Sequence, residues 1–400
     1  MTATSQSVNR LLFAKGIRAF GDGFVSLLLP LYLLELGLTP LQVGVIATAT
    51  LLGSGVMTLL VGLHAYRYRY RSLLLAATLL MVGTGAGFAV LTDFWPLMII
   101  AIVGTLNPSS GDVSVFLPLE HAVLSRVVAD KDRTAVFARY SLVGTLMAAV
   151  GSLAVAFPGA LVSSMEMSGK TAMQAMFLLY ALLGVITALT YRGLPPSLES
   201  TAPLPAAPLG KSKKTVYLLA ALFSLDALGG GFVVQSMVAL WLFQKFELSI
   251  AAAGTIFFWT GLLTAFSYLV AVRIANRFGL VNTMVFTHLP ANLCLVAIPF
   301  MPDLGYVIVL LFIRSALSQM DVPTRSSYVM AIVTPNERAA AASITSVPRS
   351  LAAAVGPVLS GYLLGISTFG WPLLVAGGVK IVYDLLLLVM FRKVKPPEEK

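Results

Sequence analysis

The chain has 400 residues, of which 58% are hydrophobic and only 11% are charged, whereas soluble domains carry about 25% charged residues. This composition excludes a soluble globular monomer. The formal net charge of +10 does not indicate nucleic-acid binding, because most basic residues lie in short links between apolar runs and form no basic face of a soluble domain.

Apolar runs of roughly 20 residues, long enough to cross a hydrocarbon layer about 30 Å thick, recur along the whole chain. They predict an all-α membrane protein with twelve transmembrane helices, which we call spans one to twelve. The first run has no small-residue cleavage site, so it is predicted to be a span and not a removable signal. The predicted spans lie near residues 11–36, 40–63, 72–92, 95–128, 133–158, 171–191, 215–243, 250–273, 281–301, 304–333, 338–366 and 369–391.

Positively charged residues are concentrated in alternate links. The two termini and the links on their side carry 18 Lys and Arg residues, whereas the opposite links carry Lys170 and Lys245. Loops rich in Lys and Arg stay in the cytoplasm. Both termini are therefore predicted to be cytoplasmic, in the inner membrane of a bacterium or an archaeon.

A Pro-rich polar stretch at residues 192–214 divides the chain near its middle and has the composition of an extended linker. It predicts a six-helix bundle at 1–191, a cytoplasmic linker at 192–214 and a second six-helix bundle at 215–400.

The two halves of the chain are similar to each other. RAFGDGFV at 18–25 aligns with DALGGGFV at 226–233, and AAVG recurs at 148–151 and 353–356. Repeats in the same order predict two pseudo-symmetric bundles, with a binding site near the membrane midplane between them.

The link after the second span of each half resembles the loop motif of the major facilitator superfamily, a glycine and acidic–basic run. The motif positions are Gly62, Arg67, Arg71, Asn276, Arg277 and Gly279. Asn276 stands where the family has an acid, and the first copy keeps the basic residues without an acid. The resemblance implies two six-helix bundles around a central cavity that opens alternately to each side, and hence a secondary transporter.

Part of the chain is also similar to the twelve-helix drug:proton antiporters of that family. Those proteins carry a Gly-rich motif ending in Gly-Pro in span five, where this chain has Gly144 and Gly151 without a Gly-Pro. The Gly-Pro pair, Gly356–Pro357, occurs in span eleven instead. The resemblance therefore implies the architecture and leaves the subfamily open.

Thirteen ionisable residues lie inside the predicted spans, and each costs roughly 2.5–3.5 kcal/mol or more at the bilayer centre. They are expected to face a cavity or one another, and they are Lys15, Arg18, Asp22, Asp112, Glu120, Arg139, Asp226, Arg314, Asp321, Arg325, Arg349, Lys380 and Asp384. Substrate or proton binding is predicted for Arg18, Asp22, Asp112, Arg139, Asp226, Arg314, Asp321 and Arg349.

Two of these residues are predicted to form a cytoplasmic gate. Glu120 and Arg325 occupy aligned positions in the two halves and carry opposite charges, so they would pair across the pseudo-symmetry axis. The alternative is that each charge pairs within its own bundle and fixes helix packing.

Asp22 is a predicted proton site. It is flanked by two glycines and lies one helical turn after Arg18, so poor solvation and the neighbouring cation would act on it in opposite directions. The alternative is a static pair with Arg18.

The surplus of arginines favours an anionic or zwitterionic solute, because a guanidinium binds carboxylate or phosphate through two hydrogen bonds. The alternative is that Arg139 and Arg349 neutralise Asp112 and Asp321 in neighbouring helices.

No cofactor and no metal site is predicted: His64 lies in a basic link, His121 beside Glu120 either titrates near neutral pH or lies at the membrane interface, and His288 has no ligand spacing around it. Motifs for ATP hydrolysis and for common intramembrane hydrolases are absent from the sequence, so an enzyme is not predicted. The predicted function is proton-coupled efflux of a small solute by a monomer in the lipid bilayer. A proton-coupled importer or facilitative uniporter and a non-transporting scaffold or receptor are the alternatives.

Overall fold

The computed structural model describes residues 3–64, 67–109, 114–128, 130–195, 209–210, 212–334 and 337–392. Within these ranges every regular element is helical, which confirms the all-α class. The helices are α1 (Ala3–Glu35), α2 (Pro40–His64), α3 (Tyr70–Val90), α4 (Phe94–Val103), α5 (Phe116–Val127), α6 (Asp130–Ala154), α7 (Phe157–Met165), α8 (Gly169–Arg192), α9 (Lys213–Phe232), α10 (Gln235–Phe246), α11 (Ile250–Phe278), α12 (Leu280–Ala297), α13 (Leu304–Leu317), α14 (Asp321–Ile332), α15 (Arg338–Ile366) and α16 (Trp371–Phe391).

The chain is a multi-pass membrane protein. Ten stretches of the described residues are long and apolar enough to cross a bilayer, and two shorter apolar helices, α4 and α13, begin where spans four and ten were predicted. Outward-facing positions carry large apolar side chains, among them Leu79 at 71% and Val389 at 81% exposure. Such an apolar surface suits contact with lipid.

Spans four, seven and ten are each divided into two helices, so the prediction of one continuous helix at 95–128, at 215–243 and at 304–333 is wrong. After α4, the Asn107 side chain accepts hydrogen bonds from the Ser109 backbone N–H at 3.0 Å and from the Ser109 hydroxyl at 2.9 Å. This local bonding competes with helical bonding, and Pro108 has no N–H to continue the helix.

The division of span ten has a similar cause. The Met320 N–H bonds the Leu317 carbonyl in a tight turn between α13 and α14. A proline follows at position 323 and cannot donate to the carbonyl four residues earlier, so the helix restarts there instead of continuing.

The structure consists of two compact units, one formed by residues 1–202 and 235–258 and the other by 203–234 and 259–400. In the first unit α1 packs on α6, α8 and α10, and α3 packs on α8. In the second unit α9 packs on α15 and α16, and α12 packs on α16, α13 and α14. The predicted domain boundaries at 191 and 215 stay predictions.

The same glycine positions close a helix crossing in each unit. A Cβ atom placed on Gly23 of α1 would overlap the Ala148 carbonyl of α6, and one placed on Gly231 of α9 would overlap the Ala353 carbonyl of α15. Gly23 aligns with Gly231, and Ala148 aligns with Ala353, in the internal repeat. The repeated sequence therefore encodes a repeated close approach of helix backbones, as small residues do in membrane proteins.

Candidate functional site

Asp226 of α9 lies at the centre of a buried ionic cluster in the second unit. Its Oδ1 accepts a hydrogen bond from Lys380 Nζ of α16 at 2.6 Å, and its Oδ2 accepts one from Arg325 of α14 at 2.9 Å. Gly229 permits this contact, because a Cβ there would meet the Lys380 Cγ at 2.9 Å. One carboxylate therefore holds two cations from two other helices.

Arg325 extends the cluster along α14. Its second guanidinium nitrogen lies 2.9 Å from Asp321 Oδ2, one helical turn earlier. The geometry is that of an ion pair without hydrogen-bond alignment, since Asp321 Oδ2 accepts no hydrogen bond from the described residues. Arg325 thus bridges Asp226 and Asp321, both of them predicted site residues.

A second polar group joins α12 to α16 beside this cluster. Asp384 is fully buried, with Oδ1 2.9 Å from His288 Nδ1 and Oδ2 accepting a hydrogen bond from Asn292 at 2.8 Å. The other imidazole nitrogen of His288 lies 3.8 Å from Asp226 Oδ1. His288 therefore stands between two buried carboxylates.

Sequence reasoning gave no site role to His288, Asn292, Lys380 or Asp384. A signal was present, because His288 and Asn292 are four residues apart in α12, and Lys380 and Asp384 are four residues apart in α16. Such spacing puts each pair on one helix face. Polar pairs on one face of two apolar spans indicate helices that meet through those faces.

Two predicted arginines of the second unit have no ion-pair partner among the residues that the structure describes. Arg349 of α15 is exposed and interacts electrostatically with Arg325, Asp226 and Asp321. Arg314 of α13 is half-buried, and its buried Nε makes no hydrogen bond. The direct partner of Asp321 is Arg325, and the neutralisation of Asp321 by Arg349 stays a prediction.

In the first unit Glu120 of α5 is the centre of another buried cluster. Its carboxylate is fully buried and accepts hydrogen bonds from Arg18 of α1, Tyr140 of α6 and, at 2.6 Å, Tyr191 of α8. The Arg18 guanidinium also lies 4.1 Å from the centre of the Phe116 ring. Four helices are thereby tied to one carboxylate.

These contacts bear on the predicted gate. The recorded partners of Glu120 lie in the first unit and those of Arg325 in the second. They match the alternative in which each charge pairs within its own bundle, and the pairing of Glu120 with Arg325 stays a prediction.

The remaining predicted residues of the first unit are Asp22, Arg139 and Asp112. Asp22 is half-buried and interacts electrostatically with the Tyr180 hydroxyl. Arg139 is exposed on α6, and Asp112 lies outside the described residues. Proton binding by Asp22 and the pairing of Arg139 with Asp112 therefore stay predictions.

The predicted loop motif is partly described. Arg67 and Arg277 are exposed and Arg71 is half-buried, whereas the surroundings of Gly62 and the side chain of Asn276 lie outside the description. Gly279 begins the turn into α12 with φ of 85°, a conformation that favours glycine. The positive φ at this position therefore explains why the motif has a glycine there.

Glu337, just before α15, fixes the end of the linker. Its carboxylate accepts hydrogen bonds from the Gly210 backbone N–H, from the Ser212 hydroxyl at 2.8 Å and from the Thr334 hydroxyl at 2.9 Å. These bonds, that of Gly210 first, lower the pKa of the Glu337 carboxyl. Glu337 thus holds the residues just before α9 in place, and its carboxyl has to be ionised to do so.

No group of three or more His, Cys, Asp or Glu side chains with metal-binding geometry occurs in the described part of the chain. Cys294, the single cysteine, lies half-buried in α12 and interacts electrostatically with Arg314.

Comparison with known proteins agrees with this architecture. An uncharacterized membrane protein of Saccharomyces cerevisiae, YJR124C, is 26% identical over 425 aligned positions, which cover 97% of this chain and 94% of the yeast protein. The crystal structure of the nucleoside transporter NupG superposes with a TM-score of 0.74 at 14% identity and covers 98% of this chain and 100% of NupG.

Two further transporters have the same fold. A bacterial homologue of the human lysosomal transporter Spinster gives a TM-score of 0.72 at 14% identity, with 97% of this chain and 96% of that one covered. The human organic anion transporter MFSD10 gives 0.69 at 16% identity, with 97% and 100% covered.

The sequence profile of the Major Facilitator Superfamily matches residues 11–313 and, in a second overlapping match, 219–400. The two matches together extend over nearly the whole chain, and the second begins in the second half of the internal repeat. The chain therefore belongs to the Major Facilitator Superfamily, whose members carry small molecules across the lipid bilayer.

Proposed function

We propose that the protein is a proton-coupled secondary transporter of a small anionic or zwitterionic organic solute and works by alternating access. The solved relatives are named for nucleosides, organic anions and other cargoes, so the shared fold selects no substrate. The substrate class has to be argued from the charges of this chain.

The observation that carries the proposal is the pair of arginines, Arg314 and Arg349, that have no ion-pair partner among the described residues. The acids that interact with Arg349, Asp226 and Asp321, are already paired with Arg325. A cation left over inside a membrane protein is stabilised by an anion, and a guanidinium suits a carboxylate or phosphate.

The depth of Arg314 supports this role. It lies ten residues after the first residue of α13, Leu304, which is about 15 Å at 1.5 Å per residue. That distance is about half of a 30 Å hydrocarbon layer. A guanidinium at this depth is far from the lipid headgroups of either face, so a water-filled substrate path is the environment that it needs.

Binding is tested by a stabilisation screen on purified protein with organic anions, amino acids, sugars and cationic drugs, each at two pH values. We expect anions or zwitterions to raise the melting temperature, and Arg314→Gln and Arg349→Gln to lose most of that shift. Arg273→Gln, which removes an exposed arginine of α11, is the matched control and should keep it. Stabilisation confined to cationic drugs, or a full shift in both variants, would reject the anion assignment.

Transport is tested with the stabilising compound in liposomes. A carrier exchanges internal for external solute across a sealed membrane, whereas a scaffold or receptor binds without exchange. Absence of exchange by a well-folded protein that binds the compound would reject the transporter assignment in favour of that alternative.

The same liposome assay determines the direction of transport. The resemblance to drug:proton antiporters predicts efflux. The arginines favour the alternative, a proton-coupled importer, because an anion beside the Asp226 cluster makes a proton in that cluster more favourable. Accumulation on the alkaline side of the membrane supports import with the proton, accumulation on the acidic side supports proton antiport, and equal distribution supports a uniporter.

We also propose that both termini are cytoplasmic, from the distribution of Lys and Arg, and that the protein works as a monomer. A protease-accessible tag at either terminus, assayed in intact cells and in inverted vesicles, tests the orientation.

A further inference from the structure

We propose that His288 and Asp384 of the second unit, held together with Asn292, form the proton-binding site of this carrier. The inference rests on the proposed proton-coupled transport, and it assigns the proton to α12 and α16 instead of the predicted Asp22 of α1.

Asp384 is the buried acid whose contacts leave its charge uncompensated. The described partners of its carboxylate are the imidazole of His288 and the amide of Asn292. The nearby cations Lys380 and Arg325 both bond Asp226 instead. Among the described side chains Asp384 therefore has hydrogen bonds but no Lys or Arg counter-ion.

The charge balance of the pair makes it suited to bind one proton. With a neutral imidazole the pair carries one negative charge at a fully buried position. A proton taken from water by Nε2 of His288 leaves Nδ1–H donating to Asp384 Oδ1, and the pair becomes neutral overall. Because an uncompensated buried charge is costly, proton binding stabilises the packed arrangement of α12 on α16, and proton loss favours an arrangement that admits water.

The pair is also placed to sense the substrate. His288 Nε2 lies 3.8 Å from Asp226 Oδ1, and Arg349 interacts electrostatically with the same Asp226. An anion at Arg349 weakens the field of that arginine on Asp226. The imidazole then faces a more negative neighbour, which favours its protonation.

The network has an unused donor, which indicates that it has another arrangement. The buried Tyr383 hydroxyl has no hydrogen-bond partner among the described residues, and its ring centre lies 6.0 Å from that of His288. Buried hydroxyl groups are normally bonded to protein or water. The charged and titratable groups on the helices in and around this part of the second unit include Asp226, Cys294, Tyr306, Arg314, Asp321, Arg325, Tyr328, Arg349, Lys380, Tyr383 and Asp384.

The first test needs no substrate. Proton release from detergent-solubilised wild type, Asp384→Asn and His288→Asn is titrated with an indicator dye between about pH 5.5 and pH 8.5, a range above that in which an ordinary carboxyl releases its proton. Each variant should release about one proton fewer per molecule than wild type. His121→Asn removes a histidine of the first unit whose Nε2 is buried. This variant should also release about one proton fewer, as for any ordinary histidine. The Asp384→Asn result is therefore the one that tests the proposed site. A variant that has the melting temperature of wild type and an unchanged proton count would overturn the site.

The second test separates proton binding from helix packing. In liposomes, Asp384→Asn should keep solute exchange but lose accumulation driven by a pH gradient, whereas His121→Asn should keep both. If Asp384→Asn loses both solute exchange and the thermal shift that the solute induces in wild type, Asp384 has a packing role and the proposal is overturned. If wild type itself ignores a pH gradient while the proton count still falls in Asp384→Asn, the proton site stands and the proposed coupling fails.

Discussion

Replacing Asp226 by Asn removes the carboxylate that neutralises both Lys380 and Arg325. Asp226 is 4% exposed, and its two oxygens lie 2.6 Å and 2.9 Å from the two cations. Breaking a buried ion pair by removing one partner costs about 3–5 kcal/mol, because the other charge stays buried. Arg325 still pairs with Asp321 in this variant. Most of the lost stability therefore comes from the Lys380 ammonium, which stays buried without its ion-pair partner.

Lys380→Gln is the informative partner variant, because Asp226 then keeps Arg325 and the amide still donates a hydrogen bond. Its expected cost is the smaller value for one charged hydrogen bond, about 1.5–3 kcal/mol. Combining the two substitutions should cost less than their sum, because no unpaired lysine remains.

Thermal unfolding is measured in detergent without solute, and the protein that stays folded is quantified by fluorescence-detected size-exclusion chromatography. Asp303→Asn, an exposed acid before α13, is the control, and its expected change is within about 0.5 kcal/mol. The melting temperature should be highest for Asp303→Asn, lower for Lys380→Gln and lowest for Asp226→Asn. An Asp226→Asn protein as stable as the control would refute the assigned ion pairs.

Three further predictions concern helix crossing, the linker and the gate. Gly231→Ala should cost about 1–3 kcal/mol by overpacking, whereas Gly378→Ala, with open space at its Cβ, should be neutral or stabilising in the same melting assay; equal effects would contradict the crossing. The lowered pKa of the Glu337 carboxyl means that its stabilisation is full above the ordinary glutamate pKa and is lost as pH falls through the lowered value. Limited proteolysis of the linker should therefore be slow at neutral pH, faster in acid, and fast at both pH values in Glu337→Gln, and a variant with the wild-type pH profile would count against this clamp. Finally, Glu120→Arg, Arg325→Glu and the double reversal should all lose transport, because each residue has partners within its own unit; recovery in the double reversal would instead establish the gate.

The positions of the spans were predictable because apolar length dominates membrane insertion, and the glycine crossings have a sequence signal because Gly23 and Ala148 align with Gly231 and Ala353 in the internal repeat. The interruptions in spans four and ten were less visible, since mean hydropathy does not register where a backbone stops donating hydrogen bonds. Asn107, Pro108 and the proline at 323 were the local signals.

The pairing of interior charges was the least predictable part. Arg18 of α1 bonds Glu120, 102 residues away in the sequence. His288 and Asp384 are 96 residues apart. Periodicity identifies the face of a helix that carries a charge, but the neighbour on that face depends on how the helices pack.

The division of spans four and ten has one more consequence. Helices α4 and α13 end, and α5 and α14 begin, well inside the predicted hydrocarbon layer. Each such end concentrates main-chain partial charge, negative at the carboxyl end and positive at the amino end. The backbone thus supplies a permanent field along the interior of each unit, and it would attract or repel a passing ion even after every ionisable side chain had been replaced.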